Sequence, residues 1–286
     1  MKRLILAVLA LTTVLLASAQ SRIVTDEVAS SVLGRPVSVT VFLPEGFNDN
    51  PDTHYPVVYM LHGLYGTHRD WVTSGSMQGV TDELMASGEV RPMVIVMPCA
   101  GDPDVHHVQN GYFNMPDCPY EDFFFGELIP AMEAKYRCGG SKGQRAIMGL
   151  SMGGGGTIVY SQRHPDCFSS AYGMSAWLDN KHREVRGADV PDSKLTITDN
   201  SVREHSALDF MDRADESTVA ALKTVKWFLD CGDDDFLLQL SMDLHMKMRE
   251  KGIKCELRVR DGAHTWEYWH TALRIALPFA SRNMQP

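Results

Sequence analysis

A glycine-rich segment around a single serine places the strongest constraint on how this chain folds. The segment reads GLSMG at 149–153 and is extended by glycines at 154–156. The apolar run AIMGL leads into Ser151 and TIVYSQR follows the glycines, which predicts a strand before the serine and a helix after it. A turn this tight leaves no room for side chains beside the serine, so glycines flank it. The turn presents the Ser151 hydroxyl as a candidate nucleophile and aims the Met152 N–H at the same point.

Apolar runs and helical patterns alternate along the rest of the chain. Unbroken runs such as VVYML are typical of buried parallel strands, whereas VSVTVFL alternates like a half-exposed strand. We predict strands at 37–43, 57–61, 93–97, 146–150, 171–174, 225–229 and 255–259. We predict helices at 78–87, 121–136, 152–163, 236–251 and 266–279. This alternation indicates βαβ units, so we expect an α/β fold with a mostly parallel central sheet and helices on both faces.

A nucleophilic serine needs a base, and His264 is the preferred candidate. It lies in CELRVRDGAHTWEYW, after a strand-like run, in a loop of small residues just before the last predicted helix. A histidine in that loop can reach Ser151 from the neighbouring strand end. His245 lies at helical spacing in LHMKM and is interpreted as a surface or packing residue, whereas His270 remains an alternative base within a helix.

The acid that orients the base is expected in the segment KWFLDCGDDDFLL, after the penultimate predicted strand. Its candidates are Asp230, Asp233, Asp234 and Asp235. Consecutive aspartates usually mark a solvated loop, but one of these should accept from the His264 ring N–H. Spacing alone leaves that choice open. Asp261 is disfavoured because it lies on the same loop as His264.

The loop after the predicted strand at 57–61 is expected to complete an oxyanion hole. The sequence PVVYMLHGLYG places His62 and Gly63 at the strand end. A backbone N–H from such a loop, together with that of Met152, can bind the negative charge that develops on a carbonyl oxygen. We expect the loop donor to be Leu64, with Gly63 as the alternative, and we interpret His62 as a residue that orders the loop.

Several segments, taken in order, resemble the esterase D superfamily of α/β-hydrolases. They are LHGLYGTHRDW, YEDFFFGELIPAMEAKY, GLSMGGGG, DCGDDDFLL and GAHTWEYW, and they extend over most of the chain. The resemblance implies the α/β-hydrolase fold and assigns the acid to the last aspartate of D-x-G-x-x-D, which is Asp235. It also implies Ser151 as nucleophile, His264 as base, and backbone donors at Leu64 and Met152.

The resemblance further implies a serine carboxylesterase that needs no metal and no organic cofactor. The superfamily holds feruloyl and acetylxylan esterases, tributyrin-type esterases and S-formylglutathione hydrolases, with mycolyltransferases as distant members. We therefore expect hydrolysis of short-chain acyl, acetyl or feruloyl esters of a small molecule or a carbohydrate. The alternative is an acyltransferase that passes the acyl group to a sugar acceptor. A binding module on a disused hydrolase fold is disfavoured, because the expected catalytic set is intact.

Aromatic residues are the candidate substrate contacts. Trp177 and Tyr112 are proposed to line the pocket, with Phe113 and Tyr120 as further candidates, although packing explains each equally well. In the superfamily pattern, Trp71 and Trp266 match positions that help to build the fold around the pocket.

The first residues have the pattern of a secretory signal peptide at 1–19. Lys2 and Arg3 precede an apolar run at 4–16 that is followed by Ala-Ser-Ala. The run is short for a membrane span, so we expect cleavage, no stable membrane insertion, and a periplasmic or secreted protein. S-formylglutathione hydrolases are cytosolic, so this pattern counts against that member of the superfamily.

Length, charge and cysteines set the remaining bounds. We expect one domain at 20–286, with a polar insertion at 177–224 that forms a lid or pocket wall. The formal charge of −9 with no basic stripe excludes nucleic-acid binding. The six cysteines are scattered without C-x-x-C pairs, which predicts at most one disulfide and no zinc site.

Overall fold

A central sheet of eight strands organises the structure. The computed structural model describes residues 21–49, 51–100, 110–181 and 193–285, so the predicted signal peptide lies outside it. The strands are β1 Arg22–Val28, β2 Val37–Leu43, β3 Val57–Leu61, β4 Val94–Pro98, β5 Asn114–Met115, β6 Cys118–Pro119, β7 Arg145–Leu150, β8 Ser170–Met174, β9 Lys226–Gly232 and β10 Cys255–Arg260. The helices are α1 Asp70–Thr73, α2 Met77–Ala86, α3 Tyr120–Phe123, α4 Ile129–Tyr136, α5 Met152–Arg163, α6 Lys194–Glu204, α7 Ala207–Arg213, α8 Glu216–Leu222, α9 Leu238–Glu250 and α10 Trp266–Asn283.

The strand order brings several loops to one edge of the sheet. The order is β1-β2-β4-β3-β7-β8-β9-β10, while β5 and β6 pair with each other. From β4 to β10 the neighbouring strands run parallel, and β2 and β1 extend the sheet through antiparallel pairs. The carboxyl ends of parallel strands meet at one edge, so the loops after β3, β7, β9 and β10 gather there.

Side chains of the buried strands alternate between two apolar layers. In β3, Val57, Tyr59 and Leu61 face the layer that contains α5 and α9. Val58 and Met60 face the layer that contains α2 and α10. Full burial of an aliphatic side chain contributes on the order of 1.5–3 kcal/mol, which explains why the central strands are unbroken apolar runs. The expected α/β fold with helices on both faces is confirmed.

Besides the short elements α1, β5 and β6, two parts of the chain contain elements that the sequence patterns did not predict. The first is β1, whose sequence RIVTDEV carries charges and which pairs only with β2 at the edge of the sheet. The second is the insertion at 177–224, whose described part contains α6, α7 and α8. Their N-cap side chains each accept a backbone N–H; these caps are Ser193, Ser206 and Asp215. Such caps were the available sequence signal for helices in this polar segment. The lid function itself remains a prediction, since 182–192 lie outside the described residues.

All six cysteines are free thiols, in agreement with the expectation of at most one disulfide. Burial raises the pKa of the Cys167, Cys231 and Cys255 thiols to about 12. These side chains are therefore protonated at neutral pH and are poor nucleophiles.

Candidate active site

Ser151 lies in the sharp turn between β7 and α5. Its backbone has φ 53° and ψ −116°, a conformation that residues other than glycine rarely adopt. The Ser151 N–H donates to the Met174 carbonyl at 2.9 Å. Its carbonyl accepts from the N–H groups of Gly155 and Trp177, each at 2.9 Å. These bonds hold the strained turn against β8 and the segment that follows it.

Gly149 and Gly153 let this turn pack tightly against β3. A Cβ at Gly149 would come within 2.4 Å of the Gly153 carbonyl oxygen. A Cβ at Gly153 would come within 2.5 Å of the carbonyl oxygens of both Leu61 and His62. A side chain at either position would push α5 away from β3. The glycine spacing in GLSMG therefore fixes the serine beside the loop after β3.

His264 connects Ser151 to Asp235 through two hydrogen bonds. Its Nε2 lies 2.9 Å from Ser151 Oγ, and its Nδ1 lies 2.8 Å from Asp235 Oδ2. A carboxylate only accepts, so His264 carries its proton on Nδ1 and presents a lone pair on Nε2 to the serine hydroxyl. This is the geometry in which an imidazole can take the serine proton. His270, the alternative base, instead bonds to the Gly75 carbonyl through Nδ1 at 2.9 Å.

The environment of Asp235 favours its charged form. Burial alone would raise its pKa, but hydrogen bonds from His264, from the Ser175 hydroxyl and from the Leu237 N–H outweigh burial and lower the pKa of Asp235. The Leu237 bond is 2.8 Å long. The Asp235 side chain is therefore a buried carboxylate at neutral pH, able to stabilise a positive charge on His264.

The other aspartates of this segment have different partners. Asp230 is fully buried and does not face the base; its contacts are with hydroxyl and guanidinium groups. Asp233 is exposed and accepts from the Gly262 N–H at 3.0 Å. Asp234 is also exposed. Asp235 is thus the aspartate that the structure brings to His264, as the resemblance implied.

The loop after β3 lies beside Ser151. A Cβ added to Gly63 would lie 3.6 Å from Ser151 Cβ, so the Gly63 backbone borders the serine. A 3.1 Å bond from the Gly66 N–H to the Gly63 carbonyl closes a turn in which Leu64 is the second residue. Met152 is the first residue of α5, so its N–H has no acceptor within the helix. The structure thus brings both expected donor segments next to the serine.

His62 orders this loop as a neutral imidazole. Its Nε2 accepts from the Ala100 N–H at 2.9 Å, and its Nδ1 donates to the Gly63 carbonyl at 2.8 Å. Complete burial lowers the pKa of His62, against the weaker opposing effects of the Gly63 carbonyl and Asp70. One tautomer is therefore fixed, and the ring ties Gly63 to the segment that follows β4.

The aromatic residues proposed as substrate contacts lie in the core. Tyr112 has no exposed surface, and its hydroxyl donates to the His62 carbonyl at 2.9 Å. The structure therefore places Tyr112 behind the loop after β3 as a support, which corrects the expectation that it lines the substrate pocket. Trp177 is only 7% exposed, and its backbone packs on the serine turn. Phe113 and Tyr120 are buried as well.

Two residues of the site were missed in the sequence. Ser175 follows β8 at the same sheet edge, has φ 46°, and accepts from Trp269 Nε1 at 3.0 Å while it donates to Asp235. Phe236 follows Asp235 directly and lies against the His264 ring. The sequence signal for Ser175 is a polar residue directly after a buried strand, and the signal for Phe236 is a hydrophobic residue in an acidic loop.

Within the described ranges, no three His, Cys, Asp or Glu side chains are grouped so that they could hold a metal ion. Over the same ranges, no helix combines the length and the apolar character that crossing a bilayer requires.

The sheet, the serine at a strand–helix turn, and a histidine and an aspartate from later strand ends define an α/β-hydrolase. More narrowly, the chain belongs to the Esterase family, whose sequence model matches residues 30–280. The resemblance read from the sequence motifs is therefore confirmed at the level of the family.

Individual relatives carry esterase names. An endo-1,4-beta-xylanase/feruloyl esterase of Xylanibacter ruminicola is 30% identical over 142 residues, which are 49% of this chain but only 19% of that protein. An acetyl esterase of Caldicellulosiruptor saccharolyticus is 22% identical over 275 residues, covering 88% of this chain and 96% of the relative. A solved ferulic acid esterase structure matches with a TM-score of 0.90 at 46% identity, covering 94% of this chain and 100% of that chain.

Proposed function

We propose that this protein is a serine carboxylesterase that hydrolyses feruloyl, acetyl or other short-chain acyl esters, including esters of carbohydrates. The observation that carries the proposal is the line of hydrogen bonds from Ser151 Oγ through His264 to Asp235, at 2.9 and 2.8 Å. A serine hydroxyl is a weak nucleophile until a base removes its proton. This line supplies the base and fixes its tautomer.

The first half of the reaction forms an acyl-enzyme. His264 Nε2 takes the Ser151 proton while Oγ attacks the ester carbonyl carbon. The carbonyl oxygen becomes negative and accepts hydrogen bonds from the N–H groups of Leu64 and Met152. One such donor contributes on the order of 3–4 kcal/mol to barrier lowering. As the tetrahedral intermediate collapses, His264 gives its proton to the leaving alcohol oxygen.

The second half repeats the chemistry with water. His264 takes a proton from a water molecule, the resulting hydroxide attacks the acyl carbonyl, and Ser151 leaves with the proton from His264. Asp235 holds the imidazole in place and stabilises it whenever it is protonated. No step requires a metal or an organic cofactor.

The substrate class and the location are supported by the relatives and by the first residues. Relatives named feruloyl esterase and acetyl esterase, and a ferulic acid esterase at 46% identity, support aromatic or small acyl groups. The signal-peptide pattern at 1–19 supports export to a periplasm or to the outside of the cell.

Replacement of the nucleophile tests the proposal. We expect Ser151→Ala to lower kcat by about 10⁶-fold toward p-nitrophenyl acetate, butyrate and octanoate and toward methyl ferulate. Ser161→Ala is a matched control, because Ser161 lies on the same helix, is buried, and bonds only locally to the Thr157 carbonyl at 2.9 Å. Retention of substantial turnover in Ser151→Ala, with the wild type active, would contradict the assignment.

The same assay addresses the acyltransferase alternative. If the wild type consumes a feruloyl ester and releases free ferulate in the presence of excess xylo-oligosaccharide, water is the acceptor. Appearance of a newly feruloylated oligosaccharide in place of ferulate would favour acyl transfer instead.

A further inference from the structure

Phe236 stands out among the hydrophobic residues of the described chain because of its exposure and its position. The residue is 60% exposed, more than any other large hydrophobic residue in the described ranges. It directly follows Asp235, and its ring centroid lies 4.6 Å from that of His264, with the planes inclined by 42°. A single exposed phenylalanine is ordinary, but one in contact with the base of a candidate active site is not.

The backbone around Phe236 is fixed on both sides. Asp235 is held by His264, and the next residue, Leu237, is 2% exposed and donates its N–H to Asp235 at 2.8 Å. The ring is therefore presented to solvent by a rigid segment. Trp269, the other aromatic neighbour of His264 at 4.9 Å, is 6% exposed and has little surface to offer a ligand.

The acylation step places the alcohol part of the ester beside His264. In the acylation step, the leaving alcohol oxygen must come within hydrogen-bond distance of His264 Nε2 to receive its proton. Whatever is attached to that oxygen must then pass beside the imidazole, whereas the carbonyl oxygen points toward Leu64 and Met152. An exposed aromatic ring beside the imidazole therefore lies on the alcohol side of the ester.

Building on the proposed function, we propose that Phe236 is a specificity-determining residue for the alcohol part of the substrate. Its ring packs against the apolar C–H face of the sugar that carries the acyl group. Aromatic rings offer large rigid contact surfaces at low entropic cost, which suits a sugar ring with one apolar face. The preferred substrates are thus acyl esters of saccharides, ahead of the corresponding methyl esters.

The test compares two esters with one acyl group. Methyl ferulate and a feruloylated arabinoxylo-oligosaccharide form the same acyl-enzyme, so they differ only in the alcohol. We expect Phe236→Ala to lower kcat/KM for the oligosaccharide ester about tenfold more than for methyl ferulate, and Phe236→Tyr to restore the wild-type ratio. Met242→Ala is the surface control, since Met242 is 42% exposed on α9, and it should leave the ratio unchanged.

A binding measurement separates this proposal from the esterase assignment. The unesterified arabinoxylo-oligosaccharide is titrated into Ser151→Ala protein by calorimetry, with and without Phe236→Ala. We expect Phe236→Ala to weaken its binding about tenfold. Equal loss of kcat/KM for both esters, or unchanged sugar binding, would overturn the role of Phe236. An inactive wild type that still binds the sugar through Phe236 would instead overturn only the esterase proposal.

Discussion

Asp230 and Asp235 are two buried aspartates on one short segment that have different surroundings. Asp230 lies in β9 with no exposed surface, and its carboxylate accepts from the hydroxyls of Tyr172 at 2.5 Å and of Tyr268, and from Arg260 at 3.2 Å. Asp235, just beyond the strand, is 5% exposed and accepts from His264 at 2.8 Å. By burial and by hydrogen bonding the two carboxylates look alike.

The two aspartates differ in what their hydrogen-bond partners contact in turn. The Tyr172 ring stacks on Phe228, and the Arg260 guanidinium lies over the Tyr268 ring. The side chains that bind Asp230 therefore contact further residues of the core and of the surface. The partner of Asp235 has a second ring nitrogen that reaches Ser151. A buried, hydrogen-bonded carboxylate therefore does not by itself indicate a catalytic role. The indication is that its partner, here His264, also bonds to a nucleophile.

Between the two aspartates, the larger expected effect on activity comes from Asp235→Asn. The amide can no longer select the His264 tautomer with Nδ1 protonated or stabilise the imidazolium, so kcat should fall by about 10⁴-fold while the fold persists. Steady-state kinetics and a thermal melt on one preparation check this. A loss of activity of less than about tenfold would remove the distinction between the two aspartates.

Asp230→Asn should act on stability in place of chemistry. Loss of the charge leaves Arg260, which is 24% exposed, without its carboxylate and weakens the bonds from both tyrosines. We expect the free energy of unfolding to fall by about 3 kcal/mol, with kcat per folded molecule close to wild type. Urea unfolding and active-site titration with a fluorophosphonate measure the two quantities separately. A stable but inactive variant would show that Asp230 also takes part in the reaction.

The smallest expected effect is a pH dependence that belongs to Asp235. Its pKa is lowered in the folded protein from the ordinary value of 3.8, so its contribution to stability is present above that value and is lost as the pH falls through the lowered pKa. Between about pH 6 and about pH 3, wild type should lose about 1 kcal/mol more stability than Asp235→Asn. Parallel urea curves at the two pH values would contradict the assigned direction.

The part of the site that depends on local sequence could be predicted. The serine turn needs glycines at fixed positions and a strand–helix junction. Both can be recognised in the sequence, from the glycines of GLSMGGGG and from the apolar run and helical pattern that flank them. The buried strands could also be predicted from the sequence, because burial on both faces requires continuous apolar runs such as those of β3 and β4. His264 followed from its place between a strand and the last helix.

The rest depends on contacts between distant segments. Spacing could not choose among the aspartates, because only the packing of β9 against β10 shows that Asp235 meets the imidazole. The aromatic character of Tyr112 predicts a pocket wall, yet its ring is buried and its hydroxyl donates to the His62 carbonyl. The sequence pattern does not predict β1, because an edge strand is only half buried and therefore tolerates the charges of RIVTDEV.

The free thiols have a consequence for how this chain matures. No covalent cross-link closes any loop between the cysteines, so the native state draws its stability from packing and hydrogen bonds alone. Reaching this native state therefore requires no disulfide bond to form.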